Sequence, residues 1–363
     1  MANIIDKGQI TLQGGAVMSW NITDNEVLTI SGALWDGSVT VGKDIKSEAK
    51  FRHLVLDESV QAIGIFNFSD WDYIEEVTLP SSIKCIEHAA FCGCKNLKRV
   101  NLSDGLEIIG ADSFSGCDSL KTIILPTTLK KIYKYAFAGC ESLQEIVIPE
   151  GVTIIGEEAF RDCTNLRKIV LPSSVTMIGD DAFYKCAGLE ELVISEGVTE
   201  IGDYAFSDCI DLREVVIPEG VTRIGYRAFD GCTGLRRIVI PSTITTIDEE
   251  AFRDCTSLCE VVISEGVRGI GFRAFGDCIN LCEIVIPEGI NIDGGAFERC
   301  SSLEIVHLPA VMSIVSILSP FSGCDNLKAI YVPKKKVDFY KKRFPTDMHW
   351  LIVEEGADLP VKP

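Results

Sequence analysis

The stretch LQEIVIPEGVTIIGEEAFRDC, Leu143 to Cys163, decides the fold, because the same pattern returns 23 residues before it and 23 residues after it. Its phenylalanine recurs at Phe91, Phe114, Phe137, Phe160, Phe183, Phe206, Phe229, Phe252 and Phe275, each followed three residues later by a cysteine, from Cys94 to Cys278. Self-similarity at one fixed period marks a solenoid, in which a unit too small to bury its own apolar face stacks on copies of itself. In this unit Leu143, Ile146 and Ile148 point inward from a short strand, and Pro149 ends the strand because it has no amide hydrogen for the ladder. Glu150-Gly151 turns the chain, Val152 and Ile155 return inward, and Gly156 permits a tight bend. Glu157 to Asp162 is then predicted to form about one helical turn that drops Ala159 and Phe160 into the core, with Cys163 closing the coil.

Outward from this unit, near-perfect rungs open at Ile74, Leu97, Leu120, Leu143, Leu166, Leu189, Leu212, Leu235 and Leu258. A worn first rung precedes them, with Leu56, Val60, Ile63-Gly64 and Phe68 in register, Trp71 in the cysteine position and Ile74 in the leucine position. Residues 1–50 lack the repeat. There Trp20-Asn-Ile-Thr and Val27-Leu-Thr-Ile-Ser-Gly32 alternate as two short strands around Asp24-Asn25, a hairpin suited to capping the open edge of a solenoid, with Trp20 and Trp35 as cap-core residues. Toward the other end the cysteine spacing becomes 22 (Cys278 to Cys300) and then 24 (Cys300 to Cys324). A deletion near Ile290-Asn291-Ile292 and an insertion around Val315 to Pro320 are expected to distort the stack locally. After Pro333 the segment KKKVDFYKKRF, Lys334 to Phe344, places Val337, Tyr340 and Phe344 at helical spacing, a C-terminal cap beside Trp350 and Ile352. The predicted architecture is therefore a β-rich repeat solenoid with short helical turns: a cap over 1–50, about twelve rungs over 51–333, and a helical cap and tail over 334–363.

Composition narrows the function classes. With 53 acidic against 34 basic residues the formal charge is −19, so nucleic acid and anionic membrane surfaces, which need clustered Lys and Arg, are unfavourable partners. No stretch reaches the ~18 apolar residues of a membrane span, and MANIIDKGQITLQGG has no apolar run behind a basic segment, so neither membrane insertion nor an export signal is expected. Eleven of the 15 cysteines share one repeat position. Successive rungs would stack them at about the ~4.8 Å strand spacing, but an odd column of identical sites has no natural pairing and a straight line of sulfurs does not converge on a metal, so they read as buried thiols. Cys259 and Cys282, one rung apart and leaning outward, are the one plausible neighbouring thiol pair.

The four histidines, His53, His88, His307 and His349, never share a rung, and no hydrolase, phosphate-loop or zinc motif is present, so no catalytic residue, metal site or cofactor is assigned. The outward strand positions carry more information. One column reads Thr78, Asn101, Ile124, Val147, Val170, Val193, Val216, Val239, Val262, Val285, His307 and Tyr331. Beside it runs a charged column, Glu76, Arg99, Thr122, Glu145, Lys168, Glu191, Glu214, Arg237, Glu260 and Glu283, and one position further out a third, Glu75, Lys98, Lys121, Gln144, Arg167, Glu190, Arg213 and Arg236. Strand propensity alone accounts for the valines, with cross-rung charge pairs adding roughly 0.2–1 kcal/mol each. A contiguous exposed apolar stripe is equally the expected form of a binding site, which makes Ile124, Val147, Val170, Val193, Val216, Val239, Val262, Val285 and Tyr331 the candidate ligand-binding residues.

The repeat L-x-x-I-x-I-P-x-x-V-x-x-I-G-x-x-A-F-x-x-C is a leucine-rich-repeat variant that resembles the BspA-like family over about Leu54 to Pro333. The segments Trp20-Asn-Ile-Thr with Leu28-Thr-Ile-Ser-Gly32, and Ile330-Tyr-Val-Pro with Val337-Asp-Phe-Tyr340, are similar to that family's usual opening and ending. The resemblance implies a right-handed leucine-rich-repeat superhelix with a parallel strand ladder, displayed at the cell surface or secreted. It also implies an adhesion or binding role toward a protein or glycan ligand, which can be host-derived, with no chemistry to carry over. The competing expectation is a rigid spacer without a ligand of its own, with which the uniformity of the rungs from Leu143 to Cys278 is compatible. An enzyme would need polar groups converging in a cavity that a filled core does not leave.

Overall fold

The structure, a computed structural model, describes residues 2–11, 17–32, 45, 50–310, 313–314 and 319–361. It comprises two compact units, Met1–Leu189 and Glu190–Pro363, each a run of parallel β-solenoid rungs. Among the described residues no helix is long and apolar enough to cross a membrane.

The first unit opens with β1 (Ile4–Thr11), β2 (Val17–Thr23) and β3 (Val27–Gly32). The predicted hairpin is β2–β3, paired antiparallel with Trp20 opposite Ile30 and Trp20 buried. β1 pairs antiparallel with β2 and has no counterpart in the sequence reading, because its side chains are mostly exposed and leave little apolar alternation to detect. Trp35 lies outside the described residues. β3 pairs in parallel with β4 (His53–Leu56), so one strand serves both as the hairpin's second arm and as the edge on which the rungs build. The worn first rung forms as read, with Leu56, Val60, Ile63, Phe68, Trp71 and Ile74 all buried.

Each rung contributes two short strands to two parallel ladders. In the rung that opens at Leu143 these are Glu145–Ile146 and Ile154–Ile155, in register with Thr122–Ile123 and Lys131–Ile132 of the rung before. All eight inward residues, Leu143, Ile146, Ile148, Val152, Ile155, Ala159, Phe160 and Cys163, are buried. Within each unit the phenylalanine rings stack from rung to rung. From Phe68 through Phe91, Phe114, Phe137 and Phe160 to Phe183, centroids lie 5.2–5.5 Å apart with planes within 11°. In the second unit the stack runs from Phe206 to Phe321.

The segment Glu157 to Asp162 is not a helical turn. Glu158 and Asp162 have φ of 52° and 56°, and the same two positions are left-handed in neighbouring rungs, as at Tyr135 and Gly139. Local bonds close three overlapping turns, Ala159 N–H to the Gly156 carbonyl, Arg161 N–H to that of Glu158 and Cys163 N–H to that of Phe160. The alternate amides of Glu158, Phe160 and Asp162 donate instead to Asp180, Ala182 and Tyr184 of the next rung, at 2.8–2.9 Å. Each left-handed residue swings the next peptide out of helical orientation, so amides that a helix would satisfy internally tie rung to rung. Gly139 sits at such a position (φ 71°), and a Cβ there would meet only ordinary contacts near 3.7 Å. Gly139→Val is therefore expected to cost about 1–2 kcal/mol of purely conformational origin, and Gly139→Asn much less, in urea denaturation.

The same turn explains the cysteine. The Cys163 thiol donates to the Phe137 carbonyl at 3.2 Å, and the bond repeats from Cys94 to Phe68 and on to Cys324 with Phe297, at 3.1–3.3 Å where described. These thiols are structural donors, and burial pushes the ionisation of Cys94 up to about 12 and that of Cys140 well above the usual thiol range. Cys259 and Cys282 are exposed free thiols, while Cys85 and Cys92 are half-buried. A thiol titration of the native protein should accordingly show two fast groups, with all 15 reacting only after unfolding.

The one-residue deletion does not distort the stack. Asn291–Ile292 still pairs in register with Gly269–Ile270, and Phe297 stacks on Phe275 at 5.4 Å and 6°. The missing residue comes out of the turn between the two strands, where Ile290 leads directly into Asn291, and no core position is lost. The insertion falls mostly outside the described residues. Beyond it Pro320, which lacks an amide, still accepts from Phe297 N–H at 2.8 Å. The terminal helix is shorter than expected, α1 spanning only Val337–Lys341. Tyr340 and Phe344 are buried as read, whereas Val337 and Trp350 are half-buried. A 3-10 turn, Thr346–Leu351, then leads into Ile352–Glu354, which pairs in parallel with Ala329–Val332 and covers an otherwise open edge.

Candidate functional site

Strand alternation sets the outward face: the residue after each inward isoleucine of the first ladder must point to solvent. In the first unit Ile124 and Val147 are 84% and 75% exposed, and Val170 is also exposed. In the second unit Val193 and Val216 are direct partners across adjacent strands, as are Val239 and Val262. Val216 is 78% exposed and Val193 and Val262 are exposed, while Val239 is half-buried. Val285, His307 and Tyr331 follow in register, with the His307 and Tyr331 rings stacked at 5.2 Å. His307 Nε2 lies 3.2 Å from a Glu283 oxygen, so this end of the stripe is more polar and less exposed than the valines.

Charged side chains flank the stripe and pair from rung to rung. Lys98 meets Glu75 at 2.7 Å, Arg99 meets Glu76 at 2.7 Å and Arg237 meets Glu260 at 2.8 Å. Hydrogen bonds from Lys98 and then Arg52 hold the Glu75 carboxyl below its usual ionisation range, and Arg99 does the same for Glu76. Exposed pairs of this kind stabilise weakly, about 0–1 kcal/mol, but they orient the lysine and arginine heads. An open groove of about 640 Å³ is lined by Lys98, Arg99 and Lys121 with Ser119, Thr122, Ser142 and Gln144, Thr122 standing two residues before Ile124 and Gln144 three before Val147. Sequence reasoning placed Lys98, Arg99, Lys121, Thr122 and Gln144 in the flanking columns but did not bring Ser119 and Ser142 to them. The signal available was the run of basic residues at these positions in an acidic chain.

The turn face carries a second set of charges. Arg227 contacts Glu250 and lies over the Tyr204 and Tyr226 rings, and Arg273 and Arg299 both reach Asp277. Asp230 has a buried Oδ1 that receives no hydrogen bond. Burial raises its ionisation to about 6 against the pull of Arg253 and Arg227, with Asp254 and Glu250 adding to the rise. The folded state thus favours the neutral acid: the contribution is complete below about pH 4 and is lost as pH rises through about 6. Asp230→Asn should raise the melting temperature at pH 7.5, and the gain should vanish at pH 4, as a pair of calorimetric scans would show. Among the described residues no group of three or more His, Cys, Asp or Glu side chains is placed to hold a metal ion.

A family model for the BspA type leucine rich repeat region matches in six copies, over residues 40–149, 130–259 and 223–347. Among solved structures, a leucine-rich repeat protein from Bacteroides ovatus is 26% identical, over 97% of this chain and 98% of its own, with a TM-score of 0.54. A leucine rich cell surface protein from Faecalibacterium prausnitzii is also 26% identical, over 92% and 97%, with a TM-score of 0.47. No curated protein sequence matches the chain.

Proposed function

The chain belongs to the BspA-type leucine-rich repeat family, and on that footing we propose that it is a non-enzymatic binding module whose outward strand face engages a protein or glycan ligand. The observation that carries this reading is the exposure of Ile124, Val147 and Val216, each three-quarters or more open to solvent on a face ringed by charge. Strand propensity explains why valine is tolerated there, but not why polar Thr or Lys was not used on so open a surface. The interior supports a non-enzymatic role, because the inward positions are filled by Leu, Ile, Val, Phe and Cys. A cell-surface or secreted setting, with a ligand that can come from a host, is part of the proposal and rests on family membership.

A capture assay against an array of matrix proteins and glycans tests it. Val193→Asp combined with Val216→Asp in the second unit, or Ile124→Asp in the first, should reduce capture at least tenfold without moving the melting temperature by more than a few degrees. Capture unchanged by all of them would sink the strand-face reading. It would favour a spacer role, for which the near-identity of the rungs from Leu143 to Cys278 already speaks.

A further inference from the structure

The charge of −19 is unevenly spread. From Glu75 to Lys168, the two outward positions preceding the stripe on the first unit's strand face carry Lys98, Arg99, Lys121, Arg167 and Lys168 against Glu75, Glu76 and Glu145. Five cations less three anions leave +2 over five consecutive rungs, and all five cations are exposed. The equivalent positions of the second unit, from Glu190 to Glu283, carry three arginines and five glutamates. The groove lies within the basic field. Lys98 and Arg99 are braced by Glu75 and Glu76 of the preceding rung, while Lys121 forms no ion pair among the described residues.

We propose that this groove binds an anionic saccharide, with the Lys121 ammonium taking its sulfate or carboxylate, the hydroxyls and the Gln144 amide its sugar hydroxyls, and Ile124 and Val147 the apolar face of a ring. The proposal rests on the strand-face reading and names its ligand class. About 640 Å³ accommodates one or two sugar rings. Screening over about 8 Å at physiological salt confines attraction to the groove, and the acidic remainder repels a long polyanion. A short charged saccharide fits both conditions, and a nucleic acid fits neither.

Calorimetric titration of the full chain with a chondroitin sulfate tetrasaccharide, its desulfated counterpart and neutral maltotetraose tests this. The sulfated ligand should bind, Lys121→Gln should weaken it at least tenfold with an unchanged melting temperature, and maltotetraose should not bind. Retention of the desulfated ligand assigns the recognised group to the carboxylate, and its loss assigns it to the sulfate. Absence of binding by both charged ligands, or affinity indifferent to Lys121→Gln, overturns the proposal. If Lys121→Gln is silent while Ile124→Asp abolishes capture of a neutral glycan or a protein, the anionic class falls and the strand-face reading stands. If both substitutions are silent, both fall.

Discussion

Phe160→Ala is expected to lower the unfolding free energy by about 3–5 kcal/mol, the range for emptying a buried aromatic site. Phe160 is fully buried, with the Phe137 ring 5.3 Å away on one side and the Phe183 ring 5.2 Å away on the other, the planes within 9° and 2°. Each rung rests only on its neighbours, so the cavity weakens two interfaces at once, and the turns beside it cannot collapse because their amides are bound to adjacent rungs. Phe160→Leu retains much of the volume and should lose about half as much. Urea denaturation followed by circular dichroism measures both, and a Phe160→Ala loss under about 1 kcal/mol would show that the ring stack is not a main source of cohesion.

Tyr340→Ala is expected to be nearly as damaging and to change solution behaviour as well. Tyr340 is fully buried, its hydroxyl donates to the Pro309 carbonyl at 2.5 Å, and its ring leans on Phe344, which in turn lies 6.1 Å from Phe321 at the end of the second ring stack. Removing it costs about 3–5 kcal/mol by cavity formation and leaves a carbonyl unsatisfied. Loosening this cap would bare apolar surface and strand edge, so light scattering should detect association well below the wild-type melting temperature. Tyr340→Phe removes only the hydroxyl and should cost about 1 kcal/mol with the wild-type elution volume retained. Equal behaviour of the two variants would show that the ring does not lock the cap.

Much of the fold is legible in the repeat itself. Inward and outward positions alternate strictly within each short strand, so Leu143 through Cys163 divided correctly into a buried and an exposed set, and the exposed column of Ile124 and the valines followed from the same alternation. β1 was not legible, since a strand with both faces largely exposed leaves no apolar pattern, and neither was the edge strand Ile352–Glu354 that closes the ladder. At the second left-handed position of each rung the clue was present in Gly93, Gly116, Gly139 and Gly231, but Asp162 and Lys185 stand in the same column and obscured it, and the first position, with Tyr135 and Glu158, carried none.

The period, the two faces of the coil and the identity of the core follow from the spacing of apolar residues along one chain. Tertiary structure alone decided where the backbone of Glu157 to Asp162 sends its amides, and that the cysteine is a donor to the phenylalanine carbonyl of the rung before. It also decided that Ser119 and Ser142 join Lys98, Arg99 and Lys121 around one groove. Each of these depends on the distance and tilt between rungs, which the packing of neighbouring copies sets and which no single repeat specifies.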